Sequence, residues 1–230
     1  SGEITAERIK ERRIQVPTLI QKAFNAVMFN HPDKIIEYKG MQKVILAIVN
    51  EYVSIILDQD LKQTPFNIIS LEQKVEAEIS FPLHEKEASV KIFGYIDRVD
   101  VKDGITKIID YKTGSDKLTF KDIPELFNSD GKHINKALIQ TLLYTYTYEQ
   151  FAGKTCVEPN LYIVKTMSQD GIWFKSGRQN LAGDYLEEIK PEFLNELRKK
   201  LTELFEAPYF VVSAVPDNYK YSIYKTLFGK

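Results

Sequence analysis

The sequence predicts an α/β protein in which a small mixed β-sheet is flanked by helices. The first third of the chain places apolar residues at helical spacing, and the remainder reads as three strands, a helix, a strand and a helix. The 230 residues are enough to bury a sizeable core. We expect a helical extension over residues 1–63, packed on a core domain over residues 64–230.

Two helices are predicted before the first strand, one from Ile4 to Asn30 with an interruption at Pro17, and one from Gly40 to Leu61. Each has an apolar stripe that we expect to face the core. The stripes comprise Leu19, Ile20, Ala23, Phe24, Val27 and Met28 in the first helix and Val44, Ala47, Ile48, Tyr52, Ile55 and Ile56 in the second.

The pattern changes at Thr64-Pro65 to residues typical of strands. Asp103-Gly104 is a strong signal for a two-residue hairpin turn. The predicted elements are one or two strands in Phe66–Phe81, strands Ser89–Val101 and Ile105–Lys112, a loop with a short helical turn over Leu118–Lys132, a helix Ile134–Phe151 stopped by Gly153, a strand Val157–Lys165, a helix Leu181–Glu206 that tolerates Pro191, and an apolar segment Tyr209–Val212.

Composition narrows the possible functions. The net charge of −1 and the isoelectric point of about 6.3 disfavour a domain that depends on non-specific nucleic-acid binding, which is usually basic. Cys156 is the only cysteine, so the chain can hold no internal disulfide. No apolar run is long enough to span a membrane and no signal peptide is present, so we expect a cytoplasmic protein. Ser1-Gly2 is typical of a cloning remnant, and we expect the chain to be a piece of a longer protein.

The predicted hairpin brings two acids together. If Asp103-Gly104 is the turn, counting back along both strands places Asp97 opposite Asp110, with Cβ atoms about 5 Å apart. Lys112 lies two residues beyond Asp110 and shares its face. Opposed carboxylates repel each other unless a cation offsets their charge, and Mg²⁺ commonly binds one or two carboxylates, water and phosphate oxygens.

The hairpin therefore indicates a metal site in which the Tyr111 carbonyl adds a ligand and Lys112 orients a nucleophile or stabilises developing charge. The alternative is a surface Asp–Lys salt-bridge patch in which Gly114 forms an ordinary turn. On the next predicted helix, Gln140 and Tyr144 share a face at i and i+4 and can contact a phosphate or a base. Ordinary surface positions are the alternative for these two residues.

Three motifs resemble the RecB-like branch of the PD-(D/E)XK nuclease superfamily: Gly94-Tyr95-Ile96-Asp97, Asp110-Tyr111-Lys112-Thr113 and Gln140-Thr141-Leu142-Leu143-Tyr144. The resemblance covers about Ile68 to Lys165 and implies a restriction-endonuclease-like core. The helical N-terminal part and Leu71-Glu72 resemble, more loosely, the nuclease region of AddB-type helicase–nuclease subunits.

The resemblance implies specific roles. Asp97, Asp110 and the Tyr111 carbonyl would bind Mg²⁺ or Mn²⁺, Lys112 would be the catalytic lysine, and Gln140 and Tyr144 would position DNA. The reaction would be metal-dependent hydrolysis of DNA phosphodiesters, of exonuclease type, in double-strand break repair. The chain has no phosphate-binding loop of the ATPase type, so a helicase domain or subunit would be a partner.

The sequence departs from the family in two places. Many RecB-like nucleases have a metal-binding histidine before the strands, and none of His31, His84 and His133 matches that pattern, so we expect surface histidines. The missing ligand would lie upstream and leave this chain inactive by itself, unless Glu72 or Glu78 substitutes in part.

Some relatives also carry four cysteines around an iron–sulfur cluster, whereas a single cysteine cannot hold one, and we expect none. The C-terminus would then be held by packing of Tyr219, Tyr221, Tyr224, Leu227 and Phe228. Two further alternatives stay open: a non-catalytic module of nuclease fold for DNA binding or subunit docking, and a metal-dependent ribonuclease of the same fold.

Overall fold

The computed structural model of the chain describes residues 2–114, 118–127, 135–166, 175–176 and 179–209. The helices in these ranges are α1 (Ala6–Arg13), α2 (Val16–Phe29), α3 (Met41–Gln63), α4 (Ile123–Phe127), α5 (Lys136–Ala152) and α6 (Gly183–Glu206). The strands are β1 (Asn67–Leu83), β2 (Lys86–Lys102), β3 (Ile105–Lys112), β4 (Thr119–Phe120), β5 (Val157–Ile163), β6 (Lys175–Ser176) and β7 (Gln179–Asn180). A 3-10 turn, Val164–Thr166, follows β5.

The predicted α/β class is confirmed. Within the described ranges, a four-stranded mixed sheet has the order β1-β2-β3-β5 and is flanked by helices. Strands β4, β6 and β7 form a second, small sheet, in which β4 and β6 are parallel and β6 and β7 antiparallel. No helix in the described part of the chain is both long and apolar enough to cross a membrane.

The chain forms two compact units, and each draws on separate stretches of sequence. The first unit comprises Ser1–Gln73, Ile96–Asp116 and Asn160–Ile172. The second comprises Lys74–Tyr95, Lys117–Pro159 and Trp173–Lys230. The two acids predicted from the hairpin belong to the first unit, and the Gln140–Tyr144 pair belongs to the second.

Helices α1 and α2 of the first unit begin in different ways. Thr5 caps α1, because its hydroxyl oxygen accepts a hydrogen bond from the Arg8 N–H at 3.4 Å. Helix α2 has Pro17 in its first turn. The predicted interruption is present, but it lies at Ile14 and Gln15 rather than at Pro17 itself. The break precedes the proline, which is suited to a first turn because that position needs no N–H donor.

Only part of each predicted apolar stripe faces a core. Ile20 and Phe24 from α2 form a buried cluster with Leu46 from α3, and the Tyr38 ring packs edge-on to Phe24 at 5.6 Å between centroids. The prediction is wrong for the exposed members, because two packed helices bury only the sides that face each other. The exposed members are Leu19, Ala23, Val27, Met28, Val44, Ala47 and Ile48.

The hairpin register is the prediction that matters most for the site. Asp103 and Gly104 have φ angles of 51° and 80°, which is the backbone that a type I′ turn requires. The antiparallel ladder of β2 and β3 then runs from Lys102–Ile105 to Arg98–Ile109. The predicted turn and register are confirmed over these pairs.

In the second unit, α5 and α6 contact the second half of β1. The Asn135 side chain caps α5 by accepting a hydrogen bond from the Leu138 N–H at 3.2 Å. Lys190 of α6 forms an ion pair with Glu149 of α5. Further along α6, Arg198 donates a hydrogen bond to the Ser80 carbonyl at 3.1 Å. The predicted tolerance of α6 for Pro191 is confirmed.

Some elements differ from the prediction, and others fall outside the residues that the structure describes. The first of the predicted alternatives, one strand, is correct for Phe66–Phe81, where β1 begins at Asn67. The segment predicted as loop contains β4 as well as the helical turn α4. Strands β4, β6 and β7 have two residues each and so carry no periodicity that a sequence pattern can reveal. Residues 128–132 of the predicted loop, residues 210–212 of the apolar segment and the five tail residues Tyr219, Tyr221, Tyr224, Leu227 and Phe228 lie outside the described residues.

Candidate active site

The carboxylate of Asp97 reaches across to strand β3. Asp97 and Asp110 are the next residues of their strands beyond the Arg98–Ile109 pair. Asp97 Oδ2 accepts a hydrogen bond from the Tyr111 backbone N–H at 2.8 Å. This contact places the Asp97 carboxylate beside the backbone that immediately follows Asp110.

Asp110 and Lys112 form an ion pair on β3. Lys112 Nζ lies 2.7 Å from Asp110 Oδ2, as expected for side chains two residues apart in a strand. The Asp110 side chain is only 4% exposed, whereas that of Lys112 is 25% exposed. The ammonium group therefore lies between a buried carboxylate and the solvent, where it is available to an anionic ligand.

The oxygen donors of this site suit a hard divalent cation. Asp97 and Asp110 supply two carboxylates, and Mg²⁺ is commonly held by one or two carboxylates together with water and substrate phosphate oxygens. Residues 2–114, 118–127, 135–166, 175–176 and 179–209 contain no group of three or more His, Cys, Asp or Glu side chains arranged for a metal. Within these residues, neither Glu72 nor Glu78 joins the two acids in such a group.

The Tyr111 side chain lies on the opposite face of the hairpin from the two acids. Its hydroxyl oxygen accepts a hydrogen bond from Arg98 Nη1 at 3.0 Å, and its ring packs edge-on against Tyr162 with centroids 5.5 Å apart. Burial of the phenol raises the pKa of Tyr111 to about 12. The same residue therefore binds Asp97 through its backbone and Arg98 through its side chain.

We expect the pKa of Tyr111 to make stability depend on alkaline pH. Because the folded-state pKa is above the ordinary tyrosine pKa of 10.0, this contribution is complete below pH 10 and is lost as pH rises towards about 12. A shift of two pKa units corresponds to about 3 kcal/mol. In urea unfolding at pH 9, 10, 11 and 12, wild-type stability should fall more steeply than that of Tyr111→Phe. Equal slopes for the two proteins would contradict the assigned pKa.

Gln140 and Tyr144 face the same side of α5, as predicted. Gln140 Nε2 donates a hydrogen bond to the Tyr144 hydroxyl oxygen at 2.9 Å. Both side chains are partly buried. The Tyr144 ring lies against Gly94 of β2 in the same compact unit, and a Cβ atom on Gly94 would be 2.4 Å from Tyr144 Cε1. Glycine at residue 94 thus gives the tyrosine ring the space that it occupies.

Replacing Gly94 with alanine is expected to destabilise the protein by about 1–3 kcal/mol, the usual cost of overpacking. Alanine is otherwise the better strand residue here, because Gly94 has no positive φ and glycine costs more entropy. The measurement is chemical denaturation of Gly94→Ala, Tyr144→Ala and the double variant. The stability lost in Gly94→Ala should largely disappear when Tyr144 is already alanine. Additive losses in the double variant would show that the Tyr144 ring does not cause the destabilisation.

A buried charged cluster behind the acids was missed by sequence analysis. Arg98 forms hydrogen bonds with Asp60 of α3, at 2.8 and 3.0 Å, and with Asp100, at 2.5 to 3.0 Å. Burial raises the pKa of Asp100, and the Arg98 bond opposes that effect. Burial also disfavours the charged form of Arg98, but bonds to Asp100 and Asp60 outweigh it and hold the pKa above its usual range. Asp60 lies four residues beyond Ile56 and eight beyond Tyr52, so it continues the apolar stripe of that helix. An acid in such a stripe was the sequence signal that could have indicated a buried charge.

The other candidate residues that the structure describes lie at the surface. His31 is exposed after α2, and His84 is exposed in the turn between β1 and β2, where Nδ1 lies 3.9 Å from Glu206 Oε1. Cys156 is an exposed free thiol. His133 lies outside the described residues.

Comparison with known proteins identifies the fold family. The family model for the PD-(D/E)XK nuclease superfamily matches residues 3–212. That range contains all the residues of the candidate site. The predicted restriction-endonuclease-like core agrees with this match and with the mixed sheet. A search of curated proteins found no match.

Proposed function

We propose that this chain, which belongs to the PD-(D/E)XK nuclease superfamily, is a metal-dependent deoxyribonuclease that acts as an exonuclease in a helicase–nuclease repair system. The observation that carries the proposal is the hairpin: Asp97 and the Asp110–Lys112 pair lie on adjacent strands, next to the last pair of the observed register, and Asp97 accepts the Tyr111 N–H. Asp97, Asp110 and the Tyr111 carbonyl would hold Mg²⁺ or Mn²⁺. The metal would polarise the scissile phosphate and lower the pKa of the attacking water.

Each residue has a distinct part in the proposed reaction. Asp97 also accepts the Tyr111 N–H and so fixes the strand that carries Asp110. Lys112, partly exposed and next to Asp110, would neutralise the negative charge that develops on the phosphate oxygens. Gln140 and Tyr144, already hydrogen-bonded to each other, would contact the DNA backbone or a base.

The near-neutral net charge of the chain suggests that another protein surface brings DNA to the site. With a net charge of −1, the chain offers little long-range attraction to a polyanion. We propose that a helicase domain or subunit delivers the DNA and supplies the basic surface. The helical segment over residues 1–63 would be an extension of the nuclease domain over residues 64–230.

The proposal is tested by incubating the chain with end-labelled linear DNA and with closed circular DNA, in Mg²⁺, in Mn²⁺ and in excess chelator. We expect metal-dependent release of short products from linear DNA and none from circular DNA. Such activity would also show that the upstream histidine expected from the sequence is not required for cleavage. Cleavage of circular DNA would replace the exonuclease assignment with an endonuclease. Degradation of a matched RNA but not of DNA would favour a ribonuclease.

A non-catalytic module for DNA binding or docking is the second candidate. It is favoured by one observation: the described part of the chain adds no third metal-binding side chain to the two carboxylates. The presence of a complete Asp97, Asp110 and Lys112 set argues for catalysis, because a site without function has no need of a costly carboxylate pair. DNA binding that is independent of metal, with no cleavage in Mn²⁺, would support the module.

A further inference from the structure

The guanidinium group of Arg98 is fully engaged inside the first compact unit. An arginine side chain has five N–H donors, and all five of those on Arg98 meet an acceptor. Nε donates to Asp100, Nη2 donates to Asp100 and Asp60, and Nη1 donates to Asp60 and to the Tyr111 hydroxyl. The side chains of Arg98, Asp60 and Asp100 are between 5% and 8% exposed. The Phe66 ring covers the guanidinium carbon at 5.1 Å.

This cluster is connected to both acids of the candidate metal site. Arg98 follows Asp97 in β2, and Tyr111 follows Asp110 in β3. Tyr111 donates its backbone N–H to Asp97, and its hydroxyl accepts a hydrogen bond from Arg98. Asp97, Arg98 and Tyr111 thus form a closed ring of one peptide bond and two hydrogen bonds across the two strands. Sliding or separating the strands at the acids would break at least one of those hydrogen bonds.

Stability by itself is a weak reason for such a cluster. Moving three charged groups out of water is costly, and apolar replacements of buried ion pairs are often as stable or more so. Residues that orient metal ligands, in contrast, commonly change metal affinity by about 10- to 100-fold when they are mutated. Arg98 directly follows one acid and contacts Tyr111, the residue that follows the other, and this arrangement matches the second role.

We propose that Arg98, anchored by Asp60 of α3, is a positioning residue that sets the spacing of Asp97 and Asp110 by holding the Tyr111 side chain. The inference rests on the proposed function, since it assumes that the two acids bind a divalent cation. Asp60 lies in the helical segment before the strands. That segment therefore takes part in shaping the metal site without providing a ligand.

The test measures Mn²⁺ affinity by calorimetry, well below the melting temperature, for wild type, Tyr111→Phe and Asp60→Asn. Tyr111→Phe removes only the oxygen that Arg98 contacts. Tyr162→Phe is a matched control, because its phenol is also buried, packs against Tyr111 and has no hydrogen-bond partner among the described residues. Melting temperatures measured in parallel separate folding from metal affinity.

We expect the Mn²⁺ dissociation constant to rise about tenfold in Tyr111→Phe and in Asp60→Asn, and to stay unchanged in Tyr162→Phe. If Tyr111→Phe and Asp60→Asn lower the melting temperature but leave the Mn²⁺ dissociation constant unchanged, Arg98 has a structural role only. That result would overturn the inference without affecting the proposed function. Absence of Mn²⁺ binding by the wild type would overturn the metal site itself and the inference with it.

Discussion

Replacing Asp110 with asparagine is expected to reduce DNA cleavage by roughly 10³-fold. The substitution keeps the size of a side chain that is almost wholly buried but removes the charge that would hold the metal. Metal ions contribute several kcal/mol to transition-state stabilisation, and about 4 kcal/mol corresponds to that factor in rate. The measurement is the initial rate of product release from end-labelled linear DNA in saturating Mg²⁺.

The hairpin itself offers the matched control for this substitution. Asp103 lies at the turn, exposed, with a φ of 51°, and asparagine is well suited to that conformation. Asp103→Asn changes the net charge by the same amount within the same hairpin and should leave the rate unchanged. If Asp110→Asn and Asp103→Asn cleave equally well, Asp110 does not bind a catalytic metal.

Replacing Lys112 with methionine should reduce the rate by roughly 10²- to 10³-fold, the usual cost of removing one group that stabilises transition-state charge. Methionine keeps the unbranched side chain but cannot neutralise an oxyanion. We expect Mn²⁺ binding to persist, because Lys112 is not a proposed ligand. The measurements are the single-turnover cleavage rate and the Mn²⁺ dissociation constant on the same preparation.

Lys86 provides the corresponding control, since it is exposed at the start of β2, in the other compact unit from Lys112. Lys86→Met should cleave at the wild-type rate. A Lys112→Met variant with normal single-turnover cleavage would show that the ion pair with Asp110 is structural. Lys112 would then have no catalytic role.

The hairpin was predictable because its signals are local. Asp103-Gly104 defines the turn, the turn defines the register, and the register defines which residue faces Asp97. None of these steps needs knowledge of distant parts of the chain. The same reasoning predicted that Gln140 and Tyr144 share a face, because helical spacing alone determines it.

The errors came from features that depend on tertiary packing. Val44 and Ile48 have the spacing of a core stripe, yet both are exposed and Leu46 is buried instead, because the side of α3 that meets α2 is not fixed by α3 alone. Asp60 was missed for the same reason. Its partner, Arg98, lies 38 residues further along the chain, and no local pattern pairs them.

The central claim is that Asp97 and Asp110 together hold a divalent cation, and calorimetric titration with Mn²⁺ tests it most directly. The comparison is between wild type and the Asp97→Ala/Asp110→Ala double variant, each checked for folding by circular dichroism. We predict that the wild type binds Mn²⁺ and that the folded double variant binds none. Equal binding by the two proteins, or no binding by the wild type, would contradict a metal site at the hairpin.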